Sequence, residues 1–237
     1  MTQARTTLDQ LPETRGALLR FIKAKGSTAL ADMATHLNMT REAVRQQLAG
    51  LEQDGWVQRA AQRKAPGQGR PTTLFALTAA GDHLFPKFYD VLTVELLDTL
   101  AETLGTDALR RMLASLTDKQ VAHWQNKLRD LPLAERIEAL KGFYFEQDPF
   151  TQVEHDAQGA VLVEHNCPYL NLAMQRPQLC SVTVSTLSRL LGVRVRREAR
   201  FQAGDRRCAF RVLAEEPIAE DFQFEFETEN GGAAGHD

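Results

Sequence analysis

Apolar residues recur at helical spacing over residues 11–25, where Leu18, Leu19 and Ile22 form one stripe. Pro12 suits a first helical position and Gly26 a stop, so the pattern predicts a helix between them. A second, shorter helix is predicted after a Ser27 or Thr28 cap, with Leu30, Met33, Ala34 and Leu37 facing inward. Asn38 and Met39 make a tight turn. Thr40 then caps a third helix that runs to about Asp54 and ends at Gly55, with Val44, Leu48 and Leu51 on its inner face. Short helices joined by a tight turn give a helix-turn-helix. Residues 56–59 and 73–77 alternate as strands of a hairpin, and the loop between them carries Arg63, Lys64, Pro66, Gly67, Gly69, Arg70 and Pro71. Three helices followed by a basic hairpin are the order of a winged helix-turn-helix.

Beyond Gly81 the period stays helical. Phe85, Phe88, Tyr89, Leu92, Leu96, Leu100 and Leu104 predict one long helix from near Asp82, with an apolar stripe too wide for a free linker. Gly105-Thr106-Asp107 breaks it. A further helix carries Leu109, Met112, Leu113, Leu116, Val121, Trp124 and Leu128, and Pro132 opens another through Leu140. From about Gly142 the texture changes to short strands over residues 143–145, 151–155, 161–164, 193–201 and 206–213, with a helix led by Cys180 among them. The fold class is therefore α+β. Residues 1–81 are a winged helix-turn-helix, 82–141 a helical linker and dimerisation region, 142–215 an α+β sensor domain, and 216–237 an acidic tail. In that tail Phe222, Phe224 and Phe226 alternate, as an added strand would, and residues 230–237 are expected to be disordered.

Charge sharpens this picture. The formal net charge of −3 looks unpromising for a polyanion partner, yet residues 1–81 hold eleven Lys and Arg against six Asp and Glu. Residues 82–237 hold seventeen against twenty-five, so a basic module precedes an acidic body. The face of the third helix opposite its apolar stripe offers Thr40, Arg41, Glu42, Arg45 and Gln46 near the amino end, the donors and acceptors that base edges require. The loop residues Arg63, Lys64 and Arg70 suit a phosphate backbone, with no acid between Gly55 and Gly81. These eight residues are the predicted contacts to a double-stranded DNA operator. The long apolar helix predicts a homodimer, because paired readers match a palindromic site. The arginines between residues 194 and 211 are expected to pair with acidic neighbours.

Several classes are disfavoured. No paired acid and base, Ser-His-Asp set or phosphate-cradling glycine loop is present, and His36, His83, His123 and His155 are scattered, so no enzyme and no small-molecule substrate are expected. A polar start and the lack of about 18 consecutive apolar residues predict a cytoplasmic protein without membrane contact.

The cysteines number three: Cys167 just past a strand end, Cys180 at the start of a helix, and Cys208 on the apolar face of a strand. Buried small side chains would account for them, since free cysteine is often buried. Thiolates also bind soft metals. Zinc usually takes a tight pair of cysteines two to four residues apart, which is absent, whereas sulfurs gathered by tertiary folding suit an iron–sulfur cluster with one non-cysteine or open position. His165 is the nearest candidate for that position, ahead of Glu164 and Asn166.

The segments Glu164-His165-Asn166-Cys167-Pro168-Tyr169 and Gly204-Asp205-Arg206-Arg207-Cys208-Ala209-Phe210, with Gly69-Arg70-Pro71-Thr72-Thr73-Leu74-Phe75-Ala76-Leu77-Thr78-Ala79-Ala80-Gly81 and Leu84-Phe85-Pro86, carry a resemblance. Over roughly residues 18–213 the chain resembles the SufR-type iron–sulfur regulators, winged-helix repressors of the cluster-assembly operon. The resemblance implies a cytoplasmic homodimer whose cluster, 4Fe–4S ahead of 2Fe–2S, is held by Cys167, Cys180 and Cys208 and governs repression of cluster-assembly genes. The chain lacks a cysteine that other members carry between Cys180 and Cys208, which leaves the fourth ligand open. The alternative is a winged-helix repressor whose carboxy-terminal domain senses zinc or an apolar small molecule.

Overall fold

The structure, a computed structural model, describes residues 7–63, 72–145 and 150–227. It divides between Phe88 and Tyr89 into two units. In the first, α1 (Glu13–Lys25), α2 (Leu30–His36) and α3 (Arg41–Gln53) enclose Leu18, Leu19, Ile22, Met33, Val44, Leu48 and Leu51, all at or near zero exposure. Asn38 turns the chain between α2 and α3 at φ 51°, a left-handed position that asparagine tolerates. The Thr40 hydroxyl accepts from Ala43 N at 3.2 Å and caps α3. Short strands β1 (Ser27–Ala29), β2 (Val57–Arg63) and β3 (Thr72–Leu77) form an antiparallel sheet in the order β1-β3-β2. The chain thus takes the winged helix-turn-helix topology.

Two expectations for this unit change. Ser27 and Thr28 do not cap α2: they belong to β1, where Thr28 sits opposite Phe75, and α2 starts after Ala29 without a side-chain cap. The single helix expected from Asp82 to Leu104 is split into α4 (Ala79–His83) and α5 (Tyr89–Leu104), because Pro86 lacks the N–H that would continue it. Asp82 instead binds Lys23 and Lys87, and these two cations hold its carboxyl at a pKa of about 2.

The second unit packs α5, α6 (Thr106–Leu128) and α7 (Leu133–Phe145) with a four-stranded antiparallel sheet. Its strands are β4 (Gln152–Asp156), β5 (Gly159–Glu164), β6 (Val193–Ala199) and β7 (Cys208–Pro217), in the order β4-β5-β7-β6. Residues 143–145, expected as a strand, continue α7, whose helical period outweighs the β propensity of its aromatics. Between β5 and β6 run α8 (Leu170–Gln175), which the sequence pattern does not suggest, and α9 (Cys180–Leu191). Leu128, Leu140, Leu187, Leu191, Phe210 and Val212 make the core between the helices and one face of the sheet. Leu187 and Leu191 lie on the expected inner face of α9, with Val184 and Cys180 only partly buried. No helix among the described residues is long and apolar enough to cross a membrane.

Residues 222–227 form no strand. They lie as an extended strap on α9, where Ser185 accepts from Glu225 N at 3.3 Å and Ser181 from Glu227 N at 3.0 Å. Two such bonds contribute about 1 kcal/mol each. Burying Phe224 against Leu113 and Val182 contributes a further ~2 kcal/mol, so the ring and the bonds anchor the strap about equally. Residues 230–237 lie outside the described residues. Arginines of the β6–β7 hairpin are paired as expected: Arg196 of β6 with Glu198 at 3.3 Å, Arg211 of β7 with Asp156 at 2.6 Å and Glu198 at 3.0 Å, and Arg207, just before β7, with Glu154 at 3.1 Å.

Gly81 is the most crowded of the described glycines in the first unit, since a Cβ there would meet the Trp56 carbonyl oxygen at 2.0 Å. Gly81→Ala is predicted to destabilise the protein by about 2–3 kcal/mol, as overpacking against backbone does, read as a lowered urea midpoint. Gly50→Ala should be neutral or mildly stabilising in the same experiment, because its Cβ meets only the flexible end of Arg15 and alanine favours the helix.

Candidate nucleic-acid interface and metal centre

The amino-terminal half of α3 is exposed along the row Thr40, Arg41, Glu42, Arg45 and Gln46, while Val44 and Leu48 anchor the opposite face. Arg45 pairs with Glu42 one turn back, which holds its guanidinium along the helix surface. Between α3 and the hairpin lies a hollow of about 520 Å³ lined by Arg41, Arg45, Glu52, Arg59, Thr72 and Thr73. Arg59 is not among the contacts expected from sequence. It projects from β2 at the rim of this hollow and is tied to Glu52 at 3.1 Å. Its place among polar residues on the exposed side of a basic strand is the signal that could have found it. Arg63 closes β2, and Lys64 and Arg70 lie outside the described residues.

The cysteines sit in the second unit. Cys167 follows the end of β5, Cys180 opens α9, and Cys208 is the first residue of β7, at the strand's start rather than its interior. Register explains what surrounds Cys208. Glu164 lies opposite it on β5, while Arg197 on β6 lies opposite Phe210, two residues further along the same face. Cys208, Phe210 and Val212 therefore share the inner face of the sheet with Val193, Val195 and Arg197.

Burial pushes the Cys167 thiol up to about 11. The backbone N–H of Tyr169 opposes that rise by favouring the thiolate, while Cys208, Glu164 and Cys180 add to it. Burial likewise raises Cys208, opposed by the Phe201 backbone N–H and by Arg197. Cys180 accepts from Gln202 Nε2 at 3.3 Å. Each sulfur thus has an N–H donor near it, and the three influence one another electrostatically.

Arg197 is the charge of this pocket, with its side chain 3% exposed. Burial alone would pull its pKa down, but Glu227 at 2.7 Å, with Cys180 and Cys208 beside it, holds it above the ordinary arginine value. Glu227 is itself raised by burial, against the pull of Arg197 and Arg200. Arg197 Nη1 and Gln202 Oε1 are buried without a hydrogen-bond partner.

These residues fit an iron–sulfur group in kind: soft donors, N–H groups near every sulfur, and a buried cation with one N–H unsatisfied. In spacing the site is open, for no three His, Cys, Asp or Glu among the described residues are gathered as a metal site. Binding a metal there would require deprotonation of the thiols and their approach to one another. His165 lies between Glu164 and Cys167 just past β5, and no interaction brings it to the other cysteines among the described residues. A hollow of about 400 Å³, lined by Tyr89, Asp90 and Thr93 of α5 and by Cys167, Tyr169 and Asn171, gives access to Cys167.

No protein-family model and no curated protein matches the chain. Among solved structures it is similar to a mutant of S. aureus MepR bound to an oligodeoxyribonucleotide, at 22% identity over 46% of this chain and 78% of that one, with a TM-score of 0.28. The adhesin competence repressor AdcR of Streptococcus pyogenes matches at 20% identity over 50% of this chain and 83% of that one, with a TM-score of 0.25. Bacillus subtilis PadR in complex with operator DNA matches at 13% identity over 75% of this chain and 96% of that one, with a TM-score of 0.27. At such scores the winged-helix assignment rests on the topology of this chain itself.

Proposed function

We propose that the protein is a DNA-binding transcriptional regulator, a repressor of iron–sulfur cluster assembly genes, that senses cluster status at Cys167, Cys180 and Cys208. The observation that carries this reading is the presence on one chain of two dissimilar surfaces. One is an exposed polar row on α3 beside a basic hairpin, and the other a set of partly to fully buried thiols beside a buried cation. Arg41, Arg45 and Gln46 would read base edges in the major groove, with Thr40 and Glu42 at the same helix end. Arg63, Lys64 and Arg70 would hold the backbone as a wing. Cys167, Cys180 and Cys208 would hold the cluster, which supplies redox sensitivity when bound.

The route from the cysteines outward runs through α5. Arg176, in the segment between Cys167 and Cys180, donates to Asp98 of α5 at 2.6 Å, and the hollow at Cys167 has α5 as one wall. Displacement of that segment therefore acts on α5 directly. The outer face of α5 leaves Tyr89, Leu92, Leu96 and Leu104 between 55% and 66% exposed, while Val94 and Leu97 face inward. A second copy of the helix would cover that face, and a palindromic operator would be matched by the pair.

Four outcomes test these parts. Replacing Arg63, Lys64 and Arg70 together by Ala should weaken binding to all DNA and flatten the salt dependence of log K by about 0.9 for each phosphate that is no longer neutralised. Gln46→Ala should instead lose about 1–3 kcal/mol on the operator selected from random DNA while leaving non-specific binding unchanged. Titration at several salt concentrations reads both, and equal losses on specific and random DNA for Gln46→Ala would contradict base reading. Sedimentation should give a dimer for the wild type and a monomer for Leu92→Glu with Leu96→Glu; a dimer that survives both charges places the interface elsewhere. Protein isolated without oxygen should contain iron and sulfide with visible absorption, and Cys180→Ser should lower both contents; a colourless protein with stoichiometric zinc would support the zinc-sensing alternative instead.

A further inference from the structure

Buried polar atoms are satisfied in more than about nine cases in ten, so exceptions call for a cause. Two of them belong to side chains at the cysteines, Arg197 Nη1 and Gln202 Oε1. A third, Glu227 Oε2, faces Arg197 Nη2 at 2.7 Å and is accounted for by that ion pair. Arg197 arrives by strand alternation, third in the row Val193, Val195, Arg197 whose first two members are core residues. Its Nε donates to Glu227 Oε1 at 2.9 Å, which leaves Nη1 without a partner. Gln202 stands on the short turn Phe201–Ala203 and is fixed by its Nε2, which donates to Ala173 O at 3.1 Å as well as to the Cys180 sulfur at 3.3 Å. Both side chains are held by protein on one side: Arg197 keeps an unused N–H at Nη1, while Gln202 already donates Nε2 to the Cys180 sulfur and its free atom, Oε1, is an acceptor.

A cation without solvent is costly unless it meets negative charge, and Glu227 supplies one unit. A thiolate-bound iron–sulfur group is anionic and presents sulfur acceptors, the complement of the unused Arg197 guanidinium N–H and of the Gln202 amide N–H that already lies on the Cys180 sulfur. We propose that Arg197 and Gln202 are the side-chain N–H donors to the sulfurs of such a group, and that as positioning residues they set its reduction potential. This rests on the reading that the cysteines hold a cluster. Adding an electron increases the negative charge of the group, so a buried cation and N–H···S bonds stabilise the reduced state more than the oxidised one and raise the potential. The backbone N–H groups near Cys167 and Cys208 act in the same direction but cannot be removed by side-chain substitution.

The test is an EPR-monitored redox titration of the full chain, reconstituted anaerobically with iron and sulfide, alongside iron and sulfide analysis and a thermal melt. Arg197→Gln and Gln202→Leu should each bind iron and sulfide and each shift the potential to more negative values, with the larger shift at Arg197. Arg197→Lys, which keeps the charge, should return most of that shift. Gln202→Leu keeps the question decidable if Arg197→Gln fails to fold, since the turn that carries it is only partly buried. A cluster-loaded Gln202→Leu with the wild-type potential would overturn the role of Gln202, and a loaded Arg197→Gln with that potential would overturn the role of Arg197. Wild-type protein that takes up no iron and sulfide would refute the cluster reading itself, an outcome distinct from an unshifted variant.

Discussion

A guanidinium cut off from water must be balanced locally, and Arg197 imposes that constraint on the carboxy-terminal unit. With its side chain 3% exposed on the inner face of the sheet, it draws Glu227 across α9 and sits beside Cys180 and Cys208. The strap of residues 222–227 is therefore part of the same arrangement as the thiols: Ser181, next to Cys180, accepts its last described N–H, and Phe224 closes over Leu113 and Val182. Removing one member of a buried ion pair strands the other at a cost of several kcal/mol, so pocket, strand and strap are coupled energetically.

The amino-terminal unit follows the opposite rule. Its core is complete without the polar face of α3, as Leu18, Leu19, Ile22, Val44, Leu48 and Leu51 bury one another. Arg41, Arg45 and Gln46 consequently carry no structural duty and remain in solvent. Such surface charges contribute little to stability, as exposed pairs like Arg45 with Glu42 generally do, and are available for a polyanion. An exacting contact lies behind the hairpin, where Gly81 passes the Trp56 carbonyl and Thr78 bridges Gly55 O and Gly81 N, fixing where the hairpin starts.

Local signals in the chain are readable wherever the information is local. The stripe of α3 and its Thr40 cap lie within one segment, and so do the turns at Gly105 and Pro132. What cannot be read depends on partners far along the chain. β1 is three residues long and exists because Ser27 meets Ala76. Arg197 is hidden as part of the cysteine pocket because its partner, Glu227, lies thirty residues on. The signal is nonetheless present, since an arginine in register with Val193 and Val195 occupies a core position. The helix break after His83 is marked by Pro86 and masked by the regular spacing of Phe85, Phe88 and Leu92. At residues 143–145 aromatic content suggests a strand, yet α7 carries its period through them.

Two separate kinds of surface are thus carried on one polypeptide, one left in water and one largely withdrawn from it. The account depends on the sulfurs of Cys167, Cys180 and Cys208 closing on iron within a pocket already supplied with N–H donors. X-ray absorption at the iron edge of the anaerobically isolated protein tests this most directly. The account predicts a first shell of sulfur and a second shell of iron, both lost when the three cysteines are replaced by serine. Absence of iron, or iron surrounded by oxygen and nitrogen alone, would contradict it.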